Sequence, residues 1–367
     1  MTNQRNMSID ILKCIAIFSV IGVHFILNTA NSIVVNSNID IAIFLAYRQF
    51  FIICVPLFIL TTGYLNIKKE PTKKYYKNIL PIIGIYFFYS ILSLIFRNTF
   101  MQESISIIDG VRLIFTFQAI PYAWYINMYL GLYVLIPFLN KIIKNSSKKE
   151  FELFILVILV VSILPATWNN FSTFLGYSNM IPLPNFWTGI YPIAYYIIGA
   201  YIKSYSFSMK KNYYYLLIAI FIYGAAIGTN YIYSDIGNIS NAVKDYSSLF
   251  ILIQSVCLFM LILNKKKSFK IFRPFRPLIT KVANCTLEIY LVSYIIDNFI
   301  YKFFKSFIFT NTIEDYLFAL PIVVSVFTIS FLLVFFLKSI KKVIIDKFKS
   351  ERNKYLTKQN KATTGII

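Results

Sequence analysis

Long apolar segments recur along the whole chain, and they restrict its fold more than any other feature. Segments of roughly 18 or more apolar residues are typical of membrane-spanning helices. Charged residues make up only 14% of the chain, whereas a soluble domain carries about 25%. The sequence therefore predicts an all-α polytopic membrane protein with about ten transmembrane helices. These lie near 9–29, 41–65, 79–97, 123–140, 152–168, 186–203, 213–233, 247–264, 284–304 and 318–338.

The net charge of +21 is carried mainly by alternate connections between these segments. Lysine and arginine are concentrated near 66–78, 141–149, 203–211 and 265–281, and after residue 338. The intervening connections, 30–40, 98–122, 169–185, 234–246 and 305–317, contain at most one such residue each. By the positive-inside rule, this alternation predicts cytoplasmic termini and favours a membrane protein over a nucleic-acid-binding one.

We interpret residues 1–345 as a single transmembrane domain and residues 346–367 as a basic, disordered cytoplasmic tail. No connection is long enough to form a soluble catalytic domain, so any chemistry must occur within the bundle or at its mouths. We expect a multi-pass protein of the cell membrane, with a bacterial plasma membrane favoured. One histidine and four cysteines without a CxxC pair predict no metal site.

The first segment, "DILKCIAIFSVIGVHF" at 10–25, carries three ionisable residues, including His24, the only histidine of the chain. His24 follows Lys13 by eleven positions, which places both on nearly the same helix face, about 16 Å apart. Asp10 precedes Lys13 by three residues, so the two can pair. Such groups usually face a bundle interior or a wet cavity. Two structural alternatives stay open: Lys13 extending to the lipid headgroups and a hydrogen-bonded structural histidine.

Several segments resemble the integral-membrane acyltransferase 3 family. Its first helix also carries an aspartate, then a basic residue and, after ten further residues, a histidine. The other similar segments are "VPLFILTTGYL" at 55–65, "KKYYKNILP" at 73–81, "AWYINMYLGLYVLIPFL" at 123–139, "YPIAYYIIGAYI" at 191–202 and "TLEIYLVSY" at 286–294. Within the last segment, Ser293 stands where many members have histidine.

The resemblance implies transfer of an acyl group, usually acetyl from cytoplasmic acetyl-CoA, to a hydroxyl of a cell-surface or secreted glycan. Acyl-CoA would then be a donor substrate, with no permanently bound cofactor. The expected partners are the glycan acceptor and membrane lipids, not nucleic acid. The alternative is a polysaccharide or lipid-linked sugar exporter or flippase without acyl-transfer chemistry. The acceptor, the acyl group and the oligomeric state stay open.

We expect His24 to act as the general base, because a neutral imidazole can accept a proton from a hydroxyl at neutral pH. Asp297 and Arg48 come from similar depths in other segments. Asp297 is expected to accept the other ring proton of His24, and Arg48 to polarise the thioester or to pair with Asp297. The alternative for both is anchoring at the membrane interface.

The remaining predicted site residues fall into two groups. Lys13, Asp10, Lys74 and Lys77 are expected at the cytoplasmic face, where coenzyme A phosphates would approach. For the substrate site we predict contributions from Trp124, Tyr133, Glu288, Tyr290 and Ser293. Glu288 is also expected to meet Lys13 or Asp10. For Lys74 and Lys77 the alternative is ordinary positive-inside charge. For Trp124 and Tyr133 it is a place at the membrane interface or in the core.

Overall fold

The computed structural model describes residues 5–29, 37–177, 181–182, 184–205, 209, 211–234, 245–264, 274–308, 319–341 and 343. Every regular element within these ranges is helical. The first helices are α1 (Met7–Thr29), α2 (Asn38–Phe51), α3 (Cys54–Asn66), α4 (Lys73–Lys77), α5 (Leu80–Thr99), α6 (Ile107–Phe115), α7 (Trp124–Asn145) and α8 (Lys148–Ile158). The predicted tail, 346–367, lies outside the described residues.

The second half of the chain continues in the same way. A π-helical turn, Leu159–Ile163, joins α8 to α9 (Leu164–Phe174). The later helices are α10 (Asn185–Thr188), α11 (Tyr191–Tyr205), α12 (Tyr213–Ile232), α13 (Leu249–Asn264), α14 (Arg276–Ala283), α15 (Thr286–Ile308) and α16 (Ala319–Lys341).

Each of the ten predicted segments coincides with a helix in the described residues. Within the part of the chain that the structure describes, seven helical stretches are long and apolar enough to cross a membrane, and the bent pair α14–α15, with a 75° angle, would make an eighth. The other two predicted segments correspond to α11, with 15 residues, and α13, with 16 residues. The all-α multi-pass fold is therefore confirmed. The count of ten spans and the location of the termini stay predictions.

A proline divides the second predicted segment into two helices. Pro56 has no N–H to donate, and its ring would collide with the carbonyl of Ile52 in a continuous helix. The chain accordingly breaks at 52–53, between α2 and α3. At the start of α2, Ser37 and Asp40 form a capping box. The two helices still form one apolar stretch of 29 residues, Asn38–Asn66, that is long enough to cross a membrane.

The centre of the bundle is built around α1 and α3. Helix α1 packs against α2, α3, α13, α14 and α15, while α3 also packs closely against α11. Helices α5, α8 and α12 instead leave many large apolar side chains exposed. Exposed apolar faces on membrane-spanning helices are suited to contact with lipid.

The connection between α6 and α7, residues 116–123, is non-helical but enters the bundle. Ala119 is fully buried, and its carbonyl accepts hydrogen bonds from the Ser93 hydroxyl at 2.8 Å and the Arg97 guanidinium at 3.3 Å. The guanidinium also donates to the Gln118 carbonyl at 3.1 Å. Irregular backbone is tolerated at membrane depth only where protein groups satisfy it. Helix α5 therefore holds this connection in place.

Candidate active site

A cavity of about 280 Å³ lies inside the bundle, bordered by α1, α3, α7 and α15. Its lining includes both Lys13 and His24 of α1. Lys13 and His24 are separated along α1 by about 16 Å. The cavity therefore extends along α1 and connects the two residues that the sequence placed on one helix face.

The His24 imidazole is 6% exposed and lines the cavity. Its ring stacks on Tyr122, with centroids 3.6 Å apart and an interplanar angle of 28°. The Tyr290 ring lies 6.0 Å away. The Nδ1 atom is enclosed and has no hydrogen-bond partner in the described part of the chain. Nε2 is therefore the nitrogen that remains available to a substrate.

Lys13 is half-buried and lines the same cavity. The expected Asp10–Lys13 pair is replaced by an Arg5–Asp10 pair, in which Arg5 Nε and Nη2 donate to the two carboxylate oxygens at 2.6 and 2.9 Å. A planar guanidinium matches both oxygens, which an ammonium cannot do. The hydrogen bond to Asp10 also raises the pKa of Arg5. Among the described residues, Lys13 forms no ion pair, so its charge is available to a ligand.

Two of the predicted substrate residues, Trp124 and Tyr290, also line the cavity. Trp124 is 41% exposed and stacks on Tyr246, with ring centroids 5.7 Å apart. The Tyr290 hydroxyl donates to the Tyr122 carbonyl. Both residues therefore form part of an aromatic wall near His24.

Asp297 and Arg48 do not contact His24 in this structure. Asp297 is fully buried, and it interacts with the hydroxyl groups of Tyr122 and Tyr301. Arg48 is half-buried and interacts electrostatically with Asp245 instead. Neither residue lines the cavity. The direct roles expected for them stay predictions without a contact to support them.

The sequence suggested that Glu288 would meet Lys13 or Asp10, but the structure shows a different partner. The Glu288 carboxylate pairs with Lys338 of α16 at 2.6 Å. Glu288 is 7% exposed, so its charge needs a close partner within the bundle. Lys338, which follows Glu288 by fifty positions, supplies it. The pair ties α15 to α16 outside the cavity.

Four further predicted residues lie outside the cavity. The Ser293 hydroxyl donates to the carbonyl three residues earlier at 2.9 Å. Tyr133 stacks on Tyr75, with centroids 4.4 Å apart, and each hydroxyl donates to the other residue's carbonyl at 2.8 Å. Lys74 and Lys77 are exposed on α4. In this structure Ser293 and Tyr133 contribute to helix packing, and the two lysines lie on the surface of the protein.

The structure adds cavity residues that the sequence analysis did not select. Tyr125 and Tyr129 line the cavity, and Tyr122 covers the His24 ring. Tyr246 also lines it and lies 3.7 Å from the Cys54 sulfur. The four-residue spacing of Tyr125 and Tyr129 was a usable signal, because it places them on one face of α7, whereas Tyr122 precedes that helix. The signal was masked by the 28 tyrosines of the chain.

The described residues contain no group of three or more histidine, cysteine, aspartate or glutamate side chains that could hold a metal ion.

Comparison with known proteins gives one clear result. A family model described as an acyltransferase domain matches residues 6–337. No curated protein and no solved structure matches the chain.

Proposed function

The chain belongs to the acyltransferase 3 family, and from that membership we propose that it is a membrane O-acyltransferase. It moves an acyl group, for which we favour acetyl, from cytoplasmic acyl-CoA to a hydroxyl of a cell-surface or secreted glycan. The observation that supports this proposal best is the single cavity lined by both Lys13 and His24. A donor carried on a long arm needs such a connection between its charged part and its reacting carbon.

Lys13 marks the donor end of the cavity in this proposal. Its charge has no ion-pair partner in the described ranges, and it lies near the end of α1 that the loop charges assign to the cytoplasm. A lysine ammonium binds phosphate as a point charge. With the coenzyme A phosphates near Lys13, an extended pantetheine arm can span the roughly 16 Å to His24.

His24 supplies the base at the other end. Nε2 accepts the proton of the acceptor hydroxyl while the oxygen attacks the thioester carbonyl carbon. The tetrahedral intermediate collapses when the carbon–sulfur bond breaks, and the imidazolium returns its proton to the departing thiolate. The products are the O-acyl glycan and free coenzyme A, and His24 is neutral again.

The apolar wall of the cavity supports the same chemistry. Most lining side chains are aliphatic or aromatic, among them Val20, Val23, Phe58 and Tyr125. A site that admits little water disfavours hydrolysis of the thioester and strengthens the electrostatic interactions inside it. The fully enclosed Nδ1 of His24 is consistent with such exclusion.

The test is NMR of the surface glycan from cells with and without the gene, and from cells that produce His24→Gln. Glutamine retains a polar side chain but cannot act as a base, so the O-acyl signal should fall by about 10²- to 10⁴-fold. Ser330→Ala, a buried position in α16 away from the cavity, should leave it unchanged. An O-acyl signal that survives deletion refutes the proposal. Loss of the surface glycan itself would instead favour the exporter alternative.

A further inference from the structure

We propose that Tyr122 is the positioning residue that holds the His24 ring for catalysis. In this proposal the α6–α7 connection, residues 116–123, holds Tyr122 against the imidazole. The proposal rests on the proposed role of His24 as a base. It assigns the orienting function to an aromatic ring rather than to a carboxylate.

The contact between the two rings is close and extensive. With centroids 3.6 Å apart and planes 28° from parallel, Tyr122 covers one face of the imidazole. The terminal torsion of histidine is otherwise broad, and Nδ1 has no hydrogen bond to fix it in the described part of the structure. Stacking therefore restricts the ring where hydrogen bonding does not.

Tyr122 is itself held on several sides. The Asn28 side-chain amide, one turn beyond His24 on α1, donates to the Tyr122 hydroxyl. The Tyr290 hydroxyl donates to the Tyr122 carbonyl. The Tyr294 ring packs edge-on at 5.3 Å. A ring fixed by two other helices can define the orientation of the ring stacked on it.

The buried carboxyl group of Asp297 fits the same arrangement. Both of its oxygens lack a hydrogen bond of normal geometry within the described ranges, yet it interacts with the hydroxyl groups of Tyr122 and Tyr301. Asp297 thus interacts with the Tyr122 hydroxyl and not with His24 itself. We therefore expect any effect of Asp297 on the imidazole to pass through Tyr122.

The backbone anchors explain why a connecting segment can carry such a residue. Ser93 and Arg97 bind the carbonyl of Ala119, three residues before Tyr122. Ala119, Ile120 and Ala123 are all fully buried. The segment is therefore fixed to α5 on one side of Tyr122 and continues directly into α7 on the other.

The single histidine makes a direct test possible, because protein labelled with ¹³C,¹⁵N-histidine gives one set of imidazole signals. Full-length protein in lipid nanodiscs should show ring protons shifted upfield by Tyr122. Tyr122→Phe should preserve the shift, and Tyr122→Leu should abolish it. The matched control is Tyr215→Leu, which removes a buried tyrosine that binds the Met209 N–H away from the cavity. It should leave the imidazole signals unchanged.

The functional test measures kcat and KM of the same variants, with labelled acetyl-CoA as donor and the glycan that carries the O-acyl group as acceptor. Tyr122→Leu should lower kcat by about 10- to 100-fold, because small misplacements of a catalytic group are costly. The KM for acetyl-CoA should change little, and Tyr122→Phe should recover most of kcat. If Tyr122→Leu does not fold, Asn28→Ala, at an exposed position, should reduce the upfield shift.

Two results would overturn the inference: unchanged imidazole signals in Tyr122→Leu and Asn28→Ala, or a wild-type kcat in folded Tyr122→Leu. Neither result bears on the acyltransferase proposal, which is tested by gene deletion and by His24→Gln. The two proposals are therefore separable in one set of variants.

Discussion

Helices α3 and α11 touch through their backbones, and this contact gives a sharp test of the structure. A Cβ atom on Gly63 would lie 2.0 Å from the Tyr196 carbonyl oxygen, and one on Gly199 would lie 2.2 Å from the Leu60 carbonyl oxygen. Ordinary van der Waals contact begins at 3.4 Å. The difference of 1.4 Å at Gly63 is the distance by which the two helices must separate to admit a methyl group.

The expected cost of Gly63→Ala follows from this distance. Overpacking costs about 1–3 kcal/mol, and the upper end applies because a backbone carbonyl cannot rotate away as a side chain can. Alanine regains about 1 kcal/mol of helix propensity over glycine. The net destabilisation should therefore be about 2 kcal/mol. Since α3 also lines the cavity through Phe58 and Thr62, a shift of this size should lower acyl transfer as well.

The assay is the thermal unfolding midpoint of purified protein in detergent, measured by size-exclusion chromatography with fluorescence detection. Gly63→Ala and Gly199→Ala should both lower the midpoint. Gly84→Ala and Gly224→Ala are matched controls, because nothing lies within 4 Å of a Cβ at those helical positions. They should leave the midpoint unchanged or raise it. A Gly63→Ala midpoint equal to that of Gly84→Ala would refute the close α3–α11 packing.

Three further substitutions test individual residues. Lys13→Gln should raise the KM for acyl-CoA about 10-fold, since it removes a charged hydrogen bond to the donor. Lys141→Gln, at an exposed position, should leave that KM unchanged. Equal KM values for the two variants would show that Lys13 does not bind the donor. Glu288→Gln leaves Lys338 without its carboxylate partner. Because that lysine is 41% exposed, the free energy of unfolding should fall by only about 1–2 kcal/mol. Reduced acyl transfer at unchanged stability would instead give Glu288 a role in the site. Asp297→Asn should lower kcat several-fold; near wild-type transfer would show that Asp297 orients nothing.

Features that depend on a single segment of the chain could be predicted from the sequence. The fold class followed from segment length and apolarity, because in lipid a lone segment can satisfy its backbone only as a helix. The shared face of Lys13 and His24 followed from the helical repeat, and the structure places both on one cavity. The break before Pro56 was equally local, although the segment was predicted as one helix.

The partners of each ionisable side chain required the tertiary structure. Asp10 had basic neighbours on either side, yet it binds Arg5 rather than Lys13. Glu288 was expected beside α1 and is paired with Lys338. Periodicity identifies residues that share a face, but it does not say which helix that face will contact.

Local patterns in the chain were therefore enough to predict the helical membrane architecture, the family and the axis from Lys13 to His24. The helices that enclose this axis, and the Tyr122 ring stacked on His24, became known only from the folded molecule. A connecting segment has no periodicity from which its position can be read. The hydrogen bonds that draw residues 116–123 into the bundle come from α5, and they exist only once the helices have packed.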